Sequence, residues 1–254
     1  METEIPAVQQ ERINRAKARS VMICTPVART PAWQYTRSIV DTCEVLTCLG
    51  IKHVVRFVVG NSNLPRARNE LTATFLASNY SDLLFIDDDM GWEPTAVLRL
   101  LSSDQKLIGG VGRMRVDKPN TDPSVWCWRP KLNERGELTQ DEMGALWAEM
   151  VGTAFMRIER SVFRRIQMDS QIWKLPPLEA QTKEEGANYY RFFRFGNPAV
   201  EHEGEDFGFC ELWEANGGSV WIDPTITLEH VGERSYKGCI SEMLTAAAEA
   251  DACQ

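Results

Sequence analysis

Residues 83–90 read Leu83-Leu84-Phe85-Ile86-Asp87-Asp88-Asp89-Met90. Four apolar residues in a row read as a buried strand, and three carboxylates follow at once. Like charges gathered at a strand end repel one another unless a positive charge sits among them. A divalent cation such as Mn2+ or Mg2+ answers that need, because hard cations bind carboxylate oxygens. Along a strand, Asp87 and Asp89 point to one side and Asp88 to the other. That alternation loosens at the strand's end, which leaves Asp87 and Asp89 as the working pair. A solvated acidic turn, or an Asp capping the helix that starts near Pro94, explains the same residues without a ligand.

The segments before this stretch set its context. Val21 to Cys24 is a short apolar strand ended by Thr25-Pro26. From about Ala32 to Leu49, Ile39, Val40, Val45, Leu46 and Leu49 recur at helical spacing, and Gly50 ends the helix. His53 to Val59 is a second strand. Ser62 or Asn63 caps a helix with Pro65 in its first turn, running to about Ser78. Arg66 and Arg68 fall near that helix's N-terminus, where the macrodipole disfavours cations. An anion shared between the helix amides and two guanidinium groups would account for them. Pairing with Glu70 or Asp82 accounts for them equally.

Downstream, a helix is expected over about 94–101 and a strand over 106–111. The first 115 residues therefore alternate strand and helix, which implies an α/β layer around a mainly parallel sheet. Ligands of such sheets bind beyond the carboxyl ends of the strands. Pro26, Asn61 and Asp87 stand at those ends and converge on one crevice.

The second half is less regular. Residues 113–145 read as an irregular loop and a hairpin around Asn133-Glu134-Arg135-Gly136. Residues 147–158 form a strand region interrupted by Gly152-Thr153-Ala154, where glycine suggests a bend or a close ligand. A short helix begins at Ser161. Tyr189 to Phe195 is an aromatic-basic run that packs on one face or stacks rings. Gly204-Glu205-Asp206 opens a helix to about Ala215, and residues 219–222 form a last strand. Asp223-Pro224, His230 and an alanine-rich helix over about 241–250 follow.

Composition bounds the function. The chain has 254 residues and a net charge of -8, which argues against general nucleic-acid binding through basicity. No apolar run approaches the roughly 20 residues that span a bilayer. Residues 1–19 are a polar arm or a solvent-facing helix without an apolar signal core, so a cytoplasmic protein is expected. The seven cysteines are an odd set without CxxC spacing, and read as reduced packing thiols rather than a zinc site.

Four pieces stand in order: the strand ending in Asp87-Asp88-Asp89, the glycine-bearing strand at Gly152, the acidic helix start at Glu205-Asp206, and the late His230. With Gly-Glu-Asp-Phe-Gly-Phe-Cys and Pro-Thr-Ile-Thr-Leu-Glu-His-Val-Gly, this order over residues 20–232 resembles the GT-A glycosyltransferases, closest to family-2-like members. The resemblance implies a GT-A-like, Rossmann-type α/β/α sandwich with a mainly parallel central sheet. After the arm, residues 20–254 would be one catalytic domain, with a nucleotide-binding half over 20–115 and an acceptor-binding half over 116–254. It implies transfer of a sugar from a nucleotide-sugar, a UDP- or GDP-sugar by preference, to a hydroxyl acceptor with Mn2+ or Mg2+. Asp87, Asp89 and His230 would hold the metal. Thr25, Pro26, Arg66, Arg68, Asn69, Asp87, Asp88, Gly152 and Thr153 would contact the donor. Asp206, or else Glu205, would be the general base. The acceptor is open among a glycan, a protein, a lipid-linked sugar and a modified nucleic-acid base. Two alternatives keep the fold: a sugar nucleotidyltransferase and a non-catalytic binding module. The first lacks its usual glycine-rich loop, since residues 25–30 contain no glycine. A dinucleotide-dependent dehydrogenase fits less well still, because no GxGxxG follows the first strand.

Overall fold

The computed structural model describes residues 7–194 and 204–252. In chain order its elements are α1 (Ala7–Lys17), β1 (Val21–Val27), α2 (Trp33–Cys48), β2 (His53–Val59), α3 (Leu64–Leu76), β3 (Asp82–Ile86), β4 (Met90–Trp92), α4 (Pro94–Ser102) and β5 (Leu107–Gly109). Then come β6 (Trp128–Pro130), β7 (Leu146–Val151), β8 (Phe155–Glu159), α5 (Arg160–Ile166), α6 (Lys183–Ala187), α7 (Glu205–Ala215), β9 (Val220–Ile222), β10 (Leu228–Val231), β11 (Ser235–Gly238) and α8 (Ser241–Ala252).

The main sheet has eight strands in the order β2-β1-β3-β8-β5-β9-β7-β6. The pairings set β2, β1, β3, β5, β9 and β6 in one direction and β8 and β7 in the other. β1 and β3 are buried along their whole length, as central strands covered on both faces must be. Their alternation divides the core into two layers. Met22, Cys24, Leu83 and Phe85 face Leu71, Phe75 and Leu76 of α3, together with residues of α5 and α7. Val21, Ile23, Leu84 and Ile86 face Tyr35, Ile39 and Leu46 of α2 and Val97, Leu100 and Leu101 of α4. The result is an α/β/α sandwich around a mainly parallel sheet, as the strand–helix alternation implies.

α1 joins the second layer through buried Ala16. β1 continues through Thr25 and Pro26 to Val27, so these two residues do not end the strand as expected. Pro26 is tolerated because the pairing of β3 with β1 stops at Cys24–Phe85, and no donor is required of residue 26 on that side. The region 147–158 is two strands, β7 and β8, joined by Gly152-Thr153-Ala154 and separated in the sheet by β5 and β9. Within the aromatic-basic run, Tyr189, Phe192 and Phe193 are core residues, and the Phe193 and Phe209 rings stack at 4.5 Å. Packing explains these residues, although they form no strand. Phe195 lies outside the described residues.

A second sheet, β11-β10-β4, positions the site. β4 begins immediately after Asp89, and β10 pairs with it antiparallel, placing His230 opposite Met90. The main-chain N–H of Val231 donates to Asp89 O at 2.8 Å. A residue 141 positions downstream is thereby fixed beside the acidic turn.

Candidate active site

The three aspartates leave β3 into a turn and acquire separate tasks. Asp88 organises the neighbouring loop. Its carboxylate accepts from Ala28 N at 3.2 Å, and its carbonyl accepts from Ala32 N at 2.8 Å. Burial, first of all, pushes its carboxyl above the ordinary range. Asp87 Oδ1 accepts from both terminal nitrogens of Arg68 at 3.2 Å. Asp89 faces His230, with its Oδ1 3.6 Å from His230 Nε2.

The Asp89–His230 pair carries the chemistry of a cation site. Asp89 Oδ1 is buried and has no hydrogen-bond partner among the described residues. His230 Nδ1 lies 2.8 Å from Arg113 O, which can only accept, so Nδ1 carries the proton. That leaves the Nε2 lone pair free, the tautomer a metal-ligating imidazole needs. Burial lowers the His230 pKa, favouring this neutral form. One carboxylate oxygen and one imidazole nitrogen suit Mn2+ better than Mg2+, which prefers oxygen throughout. Among the described residues, no group of three or more His, Cys, Asp or Glu side chains is gathered to hold a metal. If a divalent ion bound here, Asp89 and His230 would supply two of its donors and ligand or water the others.

Arg68 is not where an anion at the helix terminus requires it. It is 1% exposed, and its Nε donates to Glu205 Oε1 at 3.1 Å while its terminal nitrogens hold Asp87. A buried guanidinium must be paired, and these two carboxylates do it. Arg68 thus ties the end of β3 to the start of α7. Arg66 points outward and pairs with Glu70 at 3.0 Å, the plain surface alternative. The Asn69 amide donates to Phe193 O and accepts from Phe193 N, both at 2.9 Å. Buried at 3% exposure, the amide clamps the main chain of the aromatic run rather than facing a crevice. Thr25 is buried with its hydroxyl 2.7 Å from Tyr35 Oη, so it and Pro26 are interior residues of β1. The strand-end position expected for them falls to Val27 and Ala28.

α7 brings Asp206 to the same region. Its Oδ1 accepts from Phe207 N at 2.9 Å. Burial, and then the adjacent Glu205 charge, push its carboxyl up to about 6. Gly152 lies alongside: a Cβ there would stand 3.5 Å from Asp206 Oδ2 and 3.0 Å from Cys127 Sγ. The tight neighbour at the glycine of the β7–β8 link is the Cys127 thiol, while the acidic helix start lies at ordinary contact distance. Thr153 next to it is buried, with its hydroxyl unpartnered among the described residues.

Two site residues escaped the sequence reading. Arg115 forms an ion pair with Asp89 Oδ2, setting a guanidinium beside the candidate cation position. Arg113 is the hub that shapes this loop, bonding Asn120 Oδ1 and the carbonyls of Met114, Val116 and Lys118. The signal was Gly112-Arg113-Met114-Arg115, two arginines in the loop that follows β5.

No family model matches the chain, and no curated protein matches it. Among solved structures, it is similar to the crystal structure of GalNAc-T7 with UDP, GalNAc and Mn2+, with a TM-score of 0.51 and 11% sequence identity. The similarity covers 84% of this chain but only 43% of that one. The fold is GT-A-like, as the order of the motifs implied. No helix among the described residues is long and apolar enough to cross a membrane.

Proposed function

We propose that the protein is a metal-dependent glycosyltransferase that moves a sugar from a nucleotide-sugar to a hydroxyl acceptor. The observation that carries this reading is the Asp89–His230 pair: a buried carboxylate oxygen without a donor, facing an imidazole nitrogen whose lone pair is free. In the GT-A-like neighbour, the structure is of a complex with UDP and Mn2+. A divalent ion bound here would neutralise charge on the departing nucleoside diphosphate and so ease glycosidic bond breakage.

The chain's own residues supply the rest. Asp206 takes the proton from the acceptor hydroxyl as that oxygen attacks the anomeric carbon. Its carboxyl near 6 keeps it mostly ionised at neutral pH and still basic enough to serve. Arg68 holds Asp87 and Glu205 in place from behind, and Asp88 hangs the loop after β1. Gly152 lies beside Asp206, packed against Cys127. Arg115, already next to Asp89, is the cation best placed to meet a diphosphate.

The test is release of nucleoside diphosphate from a panel of UDP- and GDP-sugars, with Mn2+ and with chelator. Mn2+-stimulated release from one donor class is expected. Pyrophosphate release from a nucleoside triphosphate and a sugar phosphate, with no turnover of nucleotide-sugars, would replace this reading with a nucleotidyltransferase.

A further inference from the structure

The three carboxylates after β3 are compensated in different ways. Asp87 is held by Arg68, which is sealed in the interior. Asp88 accepts from the main chain of Ala28. Asp89 pairs through Oδ2 with Arg115, its one arginine or lysine partner among the described residues. The first two arrangements are built into the fold. The third is made by a side chain that is 41% exposed and has no other hydrogen bond among the described residues.

The loop that carries Arg115 does not depend on this contact. Met114 N donates to Val125 O at 2.7 Å, and Arg113 bridges to Trp126. The Arg113 guanidinium lies 5.3 Å from the centre of the Tyr236 ring, tying the loop to β11. Arg115 therefore has a fixed base and a free end. Its stem runs close over Gly232, where a Cβ would stand 2.8 Å from Arg115 Cδ. A glycine two residues beyond His230 thus leaves the stem its path to Asp89.

Asp89 Oδ1 has no contact with solvent, so an ion reaches it only after a neighbour moves. Arg115, on the other oxygen of the same carboxylate, has the freedom to do so. A guanidinium and a divalent ion beside one carboxylate also repel each other. We propose that Arg115 is an exchangeable internal counter-ion: it pairs with Asp89 in the metal-free protein, and is displaced by the metal toward the diphosphate of the nucleotide. This rests on the transferase reading above, and adds to it that metal and nucleotide each make room for the other. Arg115 opposes the metal when it binds alone and joins the nucleotide when both are present, so the two ligands bind cooperatively.

The experiment is calorimetric titration of Mn2+ alone, and of UDP and GDP with and without Mn2+, into the full chain, Arg115→Met, Arg115→Lys and Asp89→Ala. Methionine keeps an unbranched stem over Gly232 and removes the charge. Arg115→Met should bind Mn2+ alone about five- to tenfold more tightly than the parent. It should bind the nucleotide about tenfold more weakly when Mn2+ is present. The factor by which Mn2+ tightens nucleotide binding should therefore fall about tenfold. Arg115→Lys should stay near the parent in both titrations, since the contact with Asp89 uses a single guanidinium nitrogen. A merely structural role for Arg115 would weaken Mn2+ binding, so the gain in affinity is the distinguishing sign. Mn2+ bound equally or more weakly by Arg115→Met, and lost in Asp89→Ala, would overturn the exchange and leave the metal site standing. Mn2+ bound by neither the parent nor Arg115→Met, with nucleotide or without, would remove the metal site and this proposal together.

Discussion

Replacing Asp206 with asparagine is expected to lower kcat by about 10²- to 10⁴-fold, the usual contribution of a positioned general base. The amide oxygen can still accept from Phe207 N, so the helix start survives while the proton acceptor is lost. In the parent protein, kcat/KM should rise with pH through an acid limb near 6, because Asp206 must be ionised to act. The same group makes a stability prediction of opposite sense. Its folded pKa is raised, so the protonated form is the one the fold favours. Stability from this group is present in acid and is lost as pH rises through about 6. Asp206→Asn removes that loss. The variant should be more stable than the parent at pH 8, by on the order of 2 kcal/mol, and about equal to it at pH 3.5. Urea unfolding at both pH values checks this. An inactive variant with no gain at pH 8 would contradict the desolvated environment assigned to Asp206.

Arg68→Leu is expected to cost about 3–5 kcal/mol, because it strands two carboxylates, Asp87 and Glu205, around an apolar side chain. The signature separating this from a packing defect is pH dependence. The penalty comes from uncompensated negative charge, so it should shrink in acid, where both carboxylates take up protons. Adding Glu205→Gln to Arg68→Leu should recover part of the loss. A deficit equal at pH 4 and pH 8, unmoved by the second substitution, would mean that shape rather than charge governs this site. Removing Arg68 also removes a cation that holds the Asp206 pKa down, so any residual activity should show its acid limb at higher pH.

How legible this was in the sequence depended on the range over which each residue acts. β1, β2, β3 and the helices between them were readable, because their apolar runs and caps are local. Asn63, for example, caps α3 by accepting from Arg66 N at 3.0 Å. The sheet of β4, β10 and β11 was not. Its strands are three or four residues long, and β4 and β10 are far apart in the chain. That sheet is nonetheless what sets His230 beside Asp89, so the pairing itself had to be supplied by the resemblance. Arg68 was misread for a related reason. Its position near a helix N-terminus is visible locally, but its partner Glu205 lies 137 residues away. Thr25-Pro26 reads as a strand end because proline usually breaks pairing, and only the early stop of β3 alongside it permits the strand to continue. Arg115 lay in a stretch with no regular pattern, where only the loop built around Arg113 determines its direction.

We propose that Asp89 and His230 hold the cation through which a nucleoside diphosphate binds. The most direct measurement is calorimetric titration of UDP and GDP into the parent protein, Asp89→Ala and His230→Ala, with and without Mn2+. One nucleotide should bind the parent only when Mn2+ is present, and both variants should lose this Mn2+-dependent binding while unfolding at near-parental midpoints. Nucleotide binding that is equally tight without Mn2+, or retained in both folded variants, would contradict it.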